Sequence, residues 1–500
     1  MNINQGKRPG EMERRKKKLN KKGMAGCMVS IAQIILSALC VFVIYRIDVI
    51  PEQYLIVIAV VLAILVVLFR LLMGRGKKAV RYYIGLVLAV IVSLLLLFGN
   101  MILFQVNDTL QNITEVEHEV TGMNVYVLKE DPAQTMNDVI DYEFGILETQ
   151  GRKDTNNAIV QINEELETDI TTEEYGDATE LAQALLEREC GAMILSESFV
   201  EIVSETEGYE TFRDDIRIIG TYEWKTIITN STAISETEDE EVNENVFTVY
   251  ISGIDTSGSI SKKSRSDVNI IAVFNKETHQ VQLISTPRDY YVPLSISDGV
   301  KDKLTHAGIY GVDVSMETLE MLYDIDIDYY FRVNFSGFQT LIDALGGITV
   351  YSDYDFSVGN YHFNKGENYL NGEEALVFAR ERHTFSSGDR QRGKNQMAVI
   401  TGVIAKMQTA AVLQNFMGLM EGIQGSFESN IPYDLLTDLV KDQLSGGASW
   451  NVSSYSVDGS GKSASTFSLK SKNYVMEPDM STVEHAKELI DGVKRGNIPQ

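Results

Sequence analysis

The stretch VNIIAVFNKETHQVQLIS, from Val268 to Ser285, decides the fold of the larger part of this 500-residue chain. Two nearly continuous apolar runs, VNIIAVF and VQLIS, are separated by the polar segment NKETHQ. This connection is too short for a crossover, so the two runs predict antiparallel strands. Strands that are apolar at almost every position are buried on both faces, and we therefore expect helices on each side of their sheet.

Further apolar segments surround this hairpin. The run VFTVYISGID (Val246–Asp255) predicts a third strand, and helical patterns follow around Val314–Tyr323, in FSGFQTLIDALGG and in Asn395–Gly425. We predict an α/β domain over residues 246–500. It has three layers, with a central mixed sheet that is mainly antiparallel at the edge described below and is flanked by helices on both faces.

Three runs without Asp, Glu, Lys or Arg lie near the N-terminus, at Gly23–Tyr45, Gln53–Phe69 and Tyr82–Asn107. Each is long enough to cross a bilayer, the middle one with help from flanking apolar residues. A cleaved signal peptide would explain one run but not three. Buried helices of a soluble protein are the alternative, which the run lengths disfavour. We predict three transmembrane helices over residues 23–105.

Basic residues give these spans an orientation. The tail of residues 1–22 carries nine Lys/Arg and the loop Gly74–Arg81 carries four. The positive-inside rule places both segments in the cytoplasm, so the chain after about residue 105 is expected outside. That part is strongly acidic, because residues 1–104 hold 15 Lys/Arg against 4 Asp/Glu within a total net charge of -26. This composition excludes a general nucleic-acid binder, whose affinity comes from excess cations.

Between the spans and the large domain, residues 106–230 alternate short apolar runs with helix-like stretches. The pattern predicts a polar stalk and a small α/β accessory domain, in which we find no motif for chemistry. The acidic segment STAISETEDEEVNEN (231–245) is typical of a linker. Cys27 and Cys40 lie in the first span and Cys190 is alone outside, so the exported part has no disulfide framework.

Register brings three short motifs to one edge of the large sheet. If Asn275 pairs with Gln280, Asp267 lies opposite Arg288. If the run that ends in Gly-Ile-Asp is the next strand, Asp255 reaches the same edge. Each aspartate alone is as consistent with a strand-end turn or a simple ion pair. Together they suit Mg²⁺ (or Mn²⁺), which takes one or two carboxylates and completes its shell with phosphate oxygens and water.

A second cluster lies in FARERHTFSSGDRQRGK (Phe378–Lys394), which puts five Lys/Arg into the fifteen residues from Arg380 to Lys394. We expect a short helix, an extended segment with Arg380 and Arg382 on one face, and a new helix with Asp389 as its N-cap. Arg392 and Gln396 then lie one turn apart. A helix N-terminus with guanidinium groups is a natural phosphate site.

The sign of these charges favours a bound anion. Two cations about 8 Å apart repel by roughly 2 kcal/mol at an effective dielectric near 20, so convergence without a ligand would be costly. The alternative is that the cations point into water and pair with nearby acids. A site for a soft metal is not expected, because the histidines show no ligand spacing and one cysteine is outside the spans.

The ordered motifs GID, SRSDVNII, STPRD, DKLTHAG, FSGFQTLIDALGGITV and FARER with GDRQRGKNQ resemble the LytR-CpsA-Psr family of cell-envelope ligases over about residues 246–430. Three spans with an accessory domain resemble its capsule-associated branch. The resemblance implies a phosphotransferase that moves a glycopolymer, capsular polysaccharide by this branch, from an undecaprenyl pyrophosphate carrier to a peptidoglycan hydroxyl as a phosphodiester. It also implies membrane lipid as a partner and an apolar tunnel for the polyprenyl chain.

Carried over by position, Asp255 and Asp267 match the Mg²⁺ ligands. Asp389 matches an acidic position near the site, either as base or as orienter, and forms the expected catalytic set with these two and Arg288. Where many members have a second arginine, this chain has Asn395. The positions that match pyrophosphate-binding residues are Arg265, Arg288, Arg380, Arg382, Arg392 and Gln396.

Two other functions remain open at this point. A regulatory membrane protein could bind polyprenyl pyrophosphate through the same arginines without catalysis. A lipid pyrophosphatase would use water in place of the sugar hydroxyl. The sequence does not separate the ligase from the hydrolase, because the two reactions differ only in the acceptor.

Overall fold

The computed structural model describes residues 9–47, 51–74, 79–114, 118–227, 245–254, 260–386, 388–409, 427–445 and 449–497. It divides into two compact units, residues 1–112 with 432–448 and residues 113–431 with 449–500. The predicted acidic linker, 231–245, lies outside the described residues except for Asn245, and so does the end of the predicted helix Asn395–Gly425 beyond residue 409.

The first unit contains the three predicted spans. Helices α1 (Pro9–Ile47), α2 (Glu52–Leu72) and α3 (Ala79–Thr114) each include a segment long and apolar enough to cross a membrane. The middle span extends beyond the predicted run and takes Arg70 into its last turn, where a long side chain can reach the interface. Helix α3 continues to Thr114, through most of the predicted stalk.

The accessory domain is α/β, as predicted, and consists of a five-stranded sheet with helices on both faces. The strand order is β3-β2-β4-β1-β5, with β2 parallel to β3 and β4, and β1 antiparallel to β4 and β5. One face packs on α4 and the other on α5 and α6. Its strands are β1 (His118–Leu128), β2 (Glu143–Leu147), β3 (Thr171–Tyr175), β4 (Ala192–Leu195) and β5 (Ile216–Ile227). Its helices are α4 (Arg152–Leu166), α5 (Ala178–Glu187), α6 (Glu197–Ser204) and α7 (Phe212–Asp215), with a 3₁₀ turn at Met136–Val139.

The large domain is built on a six-stranded mixed sheet of order β16-β11-β6-β7-β8-β17. The central pairs β6–β7 and β7–β8 are antiparallel, whereas β6–β11 and β8–β17 are parallel. This confirms the predicted mixed sheet. Its strands are β6 (Val246–Ile254), β7 (Ser266–Asn275), β8 (Gln280–Ser285), β11 (Tyr329–Asn334), β16 (Phe427–Ser429) and β17 (Asn451–Ser456). Small ribbons join β9 (Tyr291–Pro293) to β10 (Lys301–Lys303), β12 (Ile348–Ser352) to β15 (Gly366–Leu370), β13 (Phe356–Val358) to β14 (Tyr361–Phe363), and β18 (Gly459–Ala464) to β19 (Asn473–Pro478).

Helices cover both faces of this sheet. Alternate residues of β7 face opposite layers: Ile271 and Val273 pack with α9 and α14, whereas Ile270 and Ala272 pack with α12. This two-sided burial explains why the strands are apolar at almost every position. The helices are α8 (Leu304–Tyr310), α9 (Val312–Tyr323), α10 (Phe335–Ala344), α11 (Gly372–Arg380), α12 (Asp389–Met407) and α14 (Met480–Lys494), while α13 (Tyr433–Leu444) belongs to the unit of the membrane helices.

A buried ion cluster joins the accessory domain to the large domain. Arg332 on β11 is 2 % exposed and donates to Glu119 on β1 at 2.8 Å and to Glu428 on β16 at 2.5 Å. Burial would lower the pKa of Arg332, but the two carboxylates hold it above its ordinary value. The cluster therefore fixes one strand of the accessory sheet against the sheet that carries the candidate site.

Candidate active site

Seven of the nine predicted site residues line one cavity of about 620 Å³ in the large domain. An eighth, Asp389, lies in a small adjoining cavity that also has Asp267, Arg288 and Arg392 in its walls. The ninth, Asp255, lies outside the described residues. The seven residues are Arg265, Asp267, Arg288, Arg380, Arg382, Arg392 and Gln396.

The β7–β8 hairpin brings Asp267 to Arg288, as the register predicts. The ladder pairs Asn275 with Gln280 and continues to Ile270 with Ser285, and the Thr286 amide then donates to Asn269 O at 2.9 Å. Beyond it, Arg288 Nη1 donates to Asp267 Oδ1 at 2.7 Å.

Strand β6 lies beside β7, as expected, with a bulge between Gly253 and Ile254. Glycine is required at this bulge, because a Cβ on Gly253 would lie 2.6 Å from the Val268 side chain. The bulge pairs Ile254 with Ser266, so the end of β6 meets the start of β7, next to Asp267.

Arg288 is surrounded by carboxylates. Besides the bond to Asp267, its Nη2 lies 3.8 Å from Glu205 and its Nε lies 3.9 Å from Asp289. Burial alone would lower the pKa of this guanidinium, but the three carboxylates outweigh it and hold the pKa above its ordinary value. Arg288 therefore stays charged, and it can exchange these carboxylates for other anionic oxygens.

The accessory domain contributes acids to this site, which sequence reasoning missed. Arg265 Nη1 donates to Glu205 at 2.5 Å, and Arg265 Nη2 lies 3.6 Å from Glu201. These glutamates are one turn apart at the C-terminal end of α6. Two acids there oppose both the helix dipole and each other, so they indicate a cationic partner. The two acids at this position are visible in the sequence, but the sequence does not show which cation they pair with.

The start of α12 corrects one expectation. Asp389 is the first residue of the helix and not its N-cap, which is Gly388 with φ of +53°. Glycine tolerates this left-handed conformation and turns the chain into the helix without a side-chain cap. The Asp389 carboxylate is therefore available to pair with Arg392 one turn on. Burial raises the pKa of Asp389, and Arg392 and Arg288 only partly offset it.

The remaining arginines enter the cavity from the end of α11. Arg380 is the last residue of that helix and lies over the Phe335 ring, 4.1 Å from its centroid. The predicted extended segment is therefore wrong for Arg380, which is helical, because α11 continues one residue beyond the predicted end at Ala379. Glu381 is extended, as predicted, and accepts the Thr384 amide at 2.7 Å. Arg382 then reaches the same cavity, with its Nε 3.4 Å from His383 Nε2.

Arg390 and Lys394 belong to the same charge run but do not line the main cavity. Arg390 pairs with Asp458 at 2.5 Å and donates to Gly459 O at 2.8 Å, so for this residue the alternative of a simple ion pair is correct. Lys394 is exposed. Asn395, which replaces an arginine of the family pattern, is 2 % exposed and donates to Phe378 O at 3.1 Å. It packs α12 against α11.

An apolar wall continues the cavity away from the charged residues. It is formed by strands β6, β7, β11 and β13 and by helices α10, α11 and α12, so a ligand with a phosphate head and a hydrocarbon tail meets matching surfaces. The apolar residues are Ile251, Val268, Val333, Phe335, Phe338, Val358, Leu376, Val377, Val399 and Ile400.

The metal expectation can be tested on Asp267. Among the described residues no three His, Cys, Asp or Glu side chains form a metal site by themselves. Asp267 Oδ1 accepts from Arg288 and from Thr305 Oγ1 at 3.3 Å, while its Oδ2 has no hydrogen-bond partner within the described ranges. One carboxylate oxygen beside several arginines fits a Mg²⁺ ion that arrives with a diphosphate, since this ion takes most of its ligands from phosphate and water.

Residues 221–487 match the model of the LytR_cpsA_psr family, more than half of the chain. The chain belongs to this family. One relative is the polyisoprenyl-teichoic acid–peptidoglycan teichoic acid transferase TagU of Bacillus subtilis (strain 168), 33 % identical over 231 residues that cover 45 % of this chain and 74 % of that protein. TagU of Bacillus cereus (strain ATCC 14579) is 33 % identical over 208 residues, 41 % of this chain and 67 % of that protein.

The chain is also similar to proteins of known structure. The crystal structure of B. subtilis TagV is 29 % identical and covers 51 % of this chain and 99 % of its own, with a TM-score of 0.43. A structure of TagT bound to LI-WTA is 26 % identical and covers 50 % of this chain and 90 % of its own, with a TM-score of 0.40.

Proposed function

We propose that this membrane protein transfers a glycopolymer from a polyprenyl pyrophosphate carrier to a hydroxyl of peptidoglycan. The observation that carries the proposal is the single cavity in which five arginines adjoin an apolar wall. The five arginines suit a diphosphate, and the wall suits a polyprenyl chain. The relative TagU is named polyisoprenyl-teichoic acid–peptidoglycan teichoic acid transferase, which describes a related transfer.

For this phosphoryl transfer, the protein has mainly to position the reactants and to neutralise the charge on the phosphates. The acceptor hydroxyl loses its proton to solvent as its oxygen forms a bond to the phosphorus next to the glycan, and the bond from that phosphorus to the bridging oxygen breaks. The glycan is then joined as a phosphodiester, and the carrier leaves as a monophosphate. Negative charge grows on the bridging oxygen, and guanidinium groups held by the fold stabilise it without reorganisation.

Individual residues then take distinct roles. Arg265, Arg288 and Arg392 are largely buried and bind the diphosphate, while Arg380 and Arg382 bind it from the rim. Gln396 supplies an amide beside Arg392. Asp389 is a positioning residue, because its carboxylate holds Arg392.

Mg²⁺, or Mn²⁺ in its place, is part of the proposal. Asp267 would hold the ion, with Asp255 as the second carboxylate by family position. When bound, the ion neutralises charge on the phosphate oxygens. This chain's own residues still bind and orient the donor.

The remaining details are proposed from the chain's organisation. The donor is an undecaprenyl pyrophosphate-linked glycan in the same membrane that the three helices cross. The large domain is proposed to lie outside, where peptidoglycan is available, and the basic tail and loop support this orientation through the positive-inside rule. Because three spans with an accessory domain resemble the capsule-associated branch, we propose capsular polysaccharide as the polymer.

The test is incubation of the purified full chain in detergent with a polyprenyl pyrophosphate glycan, Mg²⁺ and peptidoglycan fragments, followed by mass spectrometry. A peptidoglycan product joined to glycan through phosphate is expected. Free glycan phosphate as the only product would indicate a pyrophosphatase, and donor binding without any product would indicate a regulatory protein. Parallel reactions with capsular and teichoic acid donors identify the polymer class.

A further inference from the structure

The accessory domain contains a crevice of a kind that binds ligands in other α/β sheets. The chain leaves β2 through α4 to reach β3 on one side, and leaves β4 through α6 and α7 to reach β5 on the other. Neighbouring parallel strands whose connections run in opposite directions form a topological switch point. Ligands of open α/β sheets bind outside the carboxyl ends of such strands.

A cavity of about 290 Å³ lies at this switch point. Its walls include Leu147 and Leu195 at the ends of β2 and β4, Asp154 and Thr155 near the start of α4, and the first residues of α6. The large domain closes it with residues 262–264 and 309–310. Backbone bonds fix this closure, because the Val120 amide donates to Ser261 O at 2.7 Å and the Lys263 amide donates to Val120 O at 3.3 Å.

The basic side chains that line this crevice form ion pairs with acidic side chains of the crevice wall. Lys262 pairs with Glu223 at 2.6 Å and Lys263 with Asp154 at 3.3 Å, while Arg213 pairs with Glu197 at 2.8 Å. Glu201 adds a fourth carboxylate. Each cation that lines the cavity thus has a carboxylate partner, so the crevice does not favour an anionic ligand.

Two polar side chains of the cavity wall have atoms left without hydrogen bonds. Thr121 is 3 % exposed and its Oγ1 has no partner among the described residues. Gln150 is 6 % exposed; its Nε2 donates to Phe467 O at 3.0 Å, but its Oε1 has no partner there either. Buried polar atoms in native proteins nearly always have a hydrogen-bond partner. Both side chains line the crevice, and a rotation that turns these buried atoms toward it would let a ligand that both donates and accepts, as a sugar does, supply the missing partners.

We propose that this crevice binds one sugar ring of an uncharged saccharide. Its volume equals that of about ten water molecules in the liquid, which is room for a single ring. The choice of saccharide rests on the proposed function, under which the ring comes either from the peptidoglycan acceptor or from the transferred polymer. Both sources present the same hydroxyl chemistry.

Helix α6 connects this crevice to the transfer site. Glu201 lines the crevice and also lies 3.6 Å from Arg265 Nη2 in the charged cavity. Glu205, one turn further on, bonds to the same arginine. A glycan held in the crevice is therefore held beside the residues that bind the diphosphate.

The test uses saturation-transfer NMR and calorimetry on the full chain in detergent, without donor lipid. The probes are N-acetylglucosamine, a peptidoglycan disaccharide, and neutral hexoses as representatives of the polymer. Thr121→Val removes a hydroxyl that has no partner among the residues that the structure describes, so the thermal unfolding midpoint should stay unchanged while sugar affinity falls about five- to tenfold. Thr121→Ser keeps the hydroxyl and should keep the affinity.

Thr248→Val is the matched control. Thr248 is also buried, and its hydroxyl has no partner within the described ranges, but it lies on β6 and does not line the crevice, so sugar affinity should not change. Absence of sugar binding by the wild type at millimolar concentrations, or full binding by Thr121→Val, would overturn the proposal. Pyrophosphate binding by the same samples is measured separately, so failure of the crevice and failure of the transfer site give different results.

Discussion

Arg288 has several charged neighbours in the main cavity. It lies near three carboxylates, Asp267 on the neighbouring strand β7, the adjacent residue Asp289, and Glu205 of the accessory domain. A diphosphate would replace some of these contacts with charge-assisted bonds of its own. Arg382 reaches the same cavity from a different element, so the two arginines test the site independently.

We predict that Arg288→Ala and Arg382→Ala each weaken binding of a polyprenyl pyrophosphate by about 1.5–3 kcal/mol, or roughly 10- to 150-fold. Calorimetry with a short-chain polyprenyl pyrophosphate measures the change. Arg390→Ala is the control, because Arg390 belongs to the same charge run but pairs with Asp458. Wild-type affinity in both variants would show that the cavity does not bind the diphosphate.

Glu205 is expected to weaken diphosphate binding, whereas the arginines strengthen it. It occupies Arg265 and approaches Arg288, so a diphosphate must compete with it for these two guanidinium groups. We predict that Glu205→Gln raises the affinity for inorganic pyrophosphate about fivefold, since a half-exposed ion pair contributes on the order of 1 kcal/mol. Titration calorimetry of the full chain checks this result.

The exposed Glu207 serves as the control for Glu205, and Glu207→Gln should leave pyrophosphate affinity unchanged. A lower affinity in Glu205→Gln would show that the carboxylate positions the arginines and does not compete with the ligand. Equal affinities in the wild type and Glu205→Gln would show that the contact has no role in binding.

At the scale of elements, the strands and the hairpin were predictable from local pattern. Apolar residues at almost every position, the short NKETHQ connection and the pairing of Asn275 with Gln280 determine β7, β8 and their register. That register alone brings Asp267 to Arg288, 21 positions apart in sequence. The contribution of Glu205 was not predictable, because it depends on how α6 packs against a separate domain.

Helix α12 shows a second limit of local pattern. Its start within one or two residues follows from Gly-Asp after a polar loop, but the role of Asp389 depends on which residue adopts the left-handed turn. Gly388 takes that conformation, and Asp389 then pairs with Arg392. The replacement of an arginine by Asn395 was visible in the sequence, whereas its bond to α11 required the packed structure.

Asp389, in the first turn of α12, leads us to predict how the transfer rate depends on pH. Burial raises the pKa of Asp389, so its carboxylate becomes protonated at a pH above the ordinary range of aspartic acid. Protonation removes the charge that holds Arg392, and the transfer rate should fall as the pH falls through the raised pKa. Asp389→Asn should be slower than the wild type at neutral pH and should lack this acidic limb. An unchanged acidic limb in Asp389→Asn would assign the titration to another group.

At the scale of the whole molecule, the accessory and large domains share a buried ion cluster. Arg332 bonds to Glu119 from the accessory sheet and to Glu428 from the large sheet, and all three side chains are nearly inaccessible to water. Burial raises the pKa of Glu119, and Arg332 opposes that rise. Removing the shared cation would leave two buried carboxylates without compensation.

We predict that Arg332→Met lowers the free energy of unfolding by about 3–5 kcal/mol, the usual loss when one member of a buried ion pair is removed. Thermal unfolding of the full chain in detergent, followed by tryptophan fluorescence, measures the change. Arg213→Met is the matched control, because Arg213 pairs with Glu197 at the surface, with both side chains more than half exposed, and should lose less than about 1 kcal/mol. Lowering the pH toward 4 should partly restore Arg332→Met, since protonation neutralises the orphaned carboxylates. Equal small losses in both variants would mean that apolar packing, and not the ion cluster, joins the two domains.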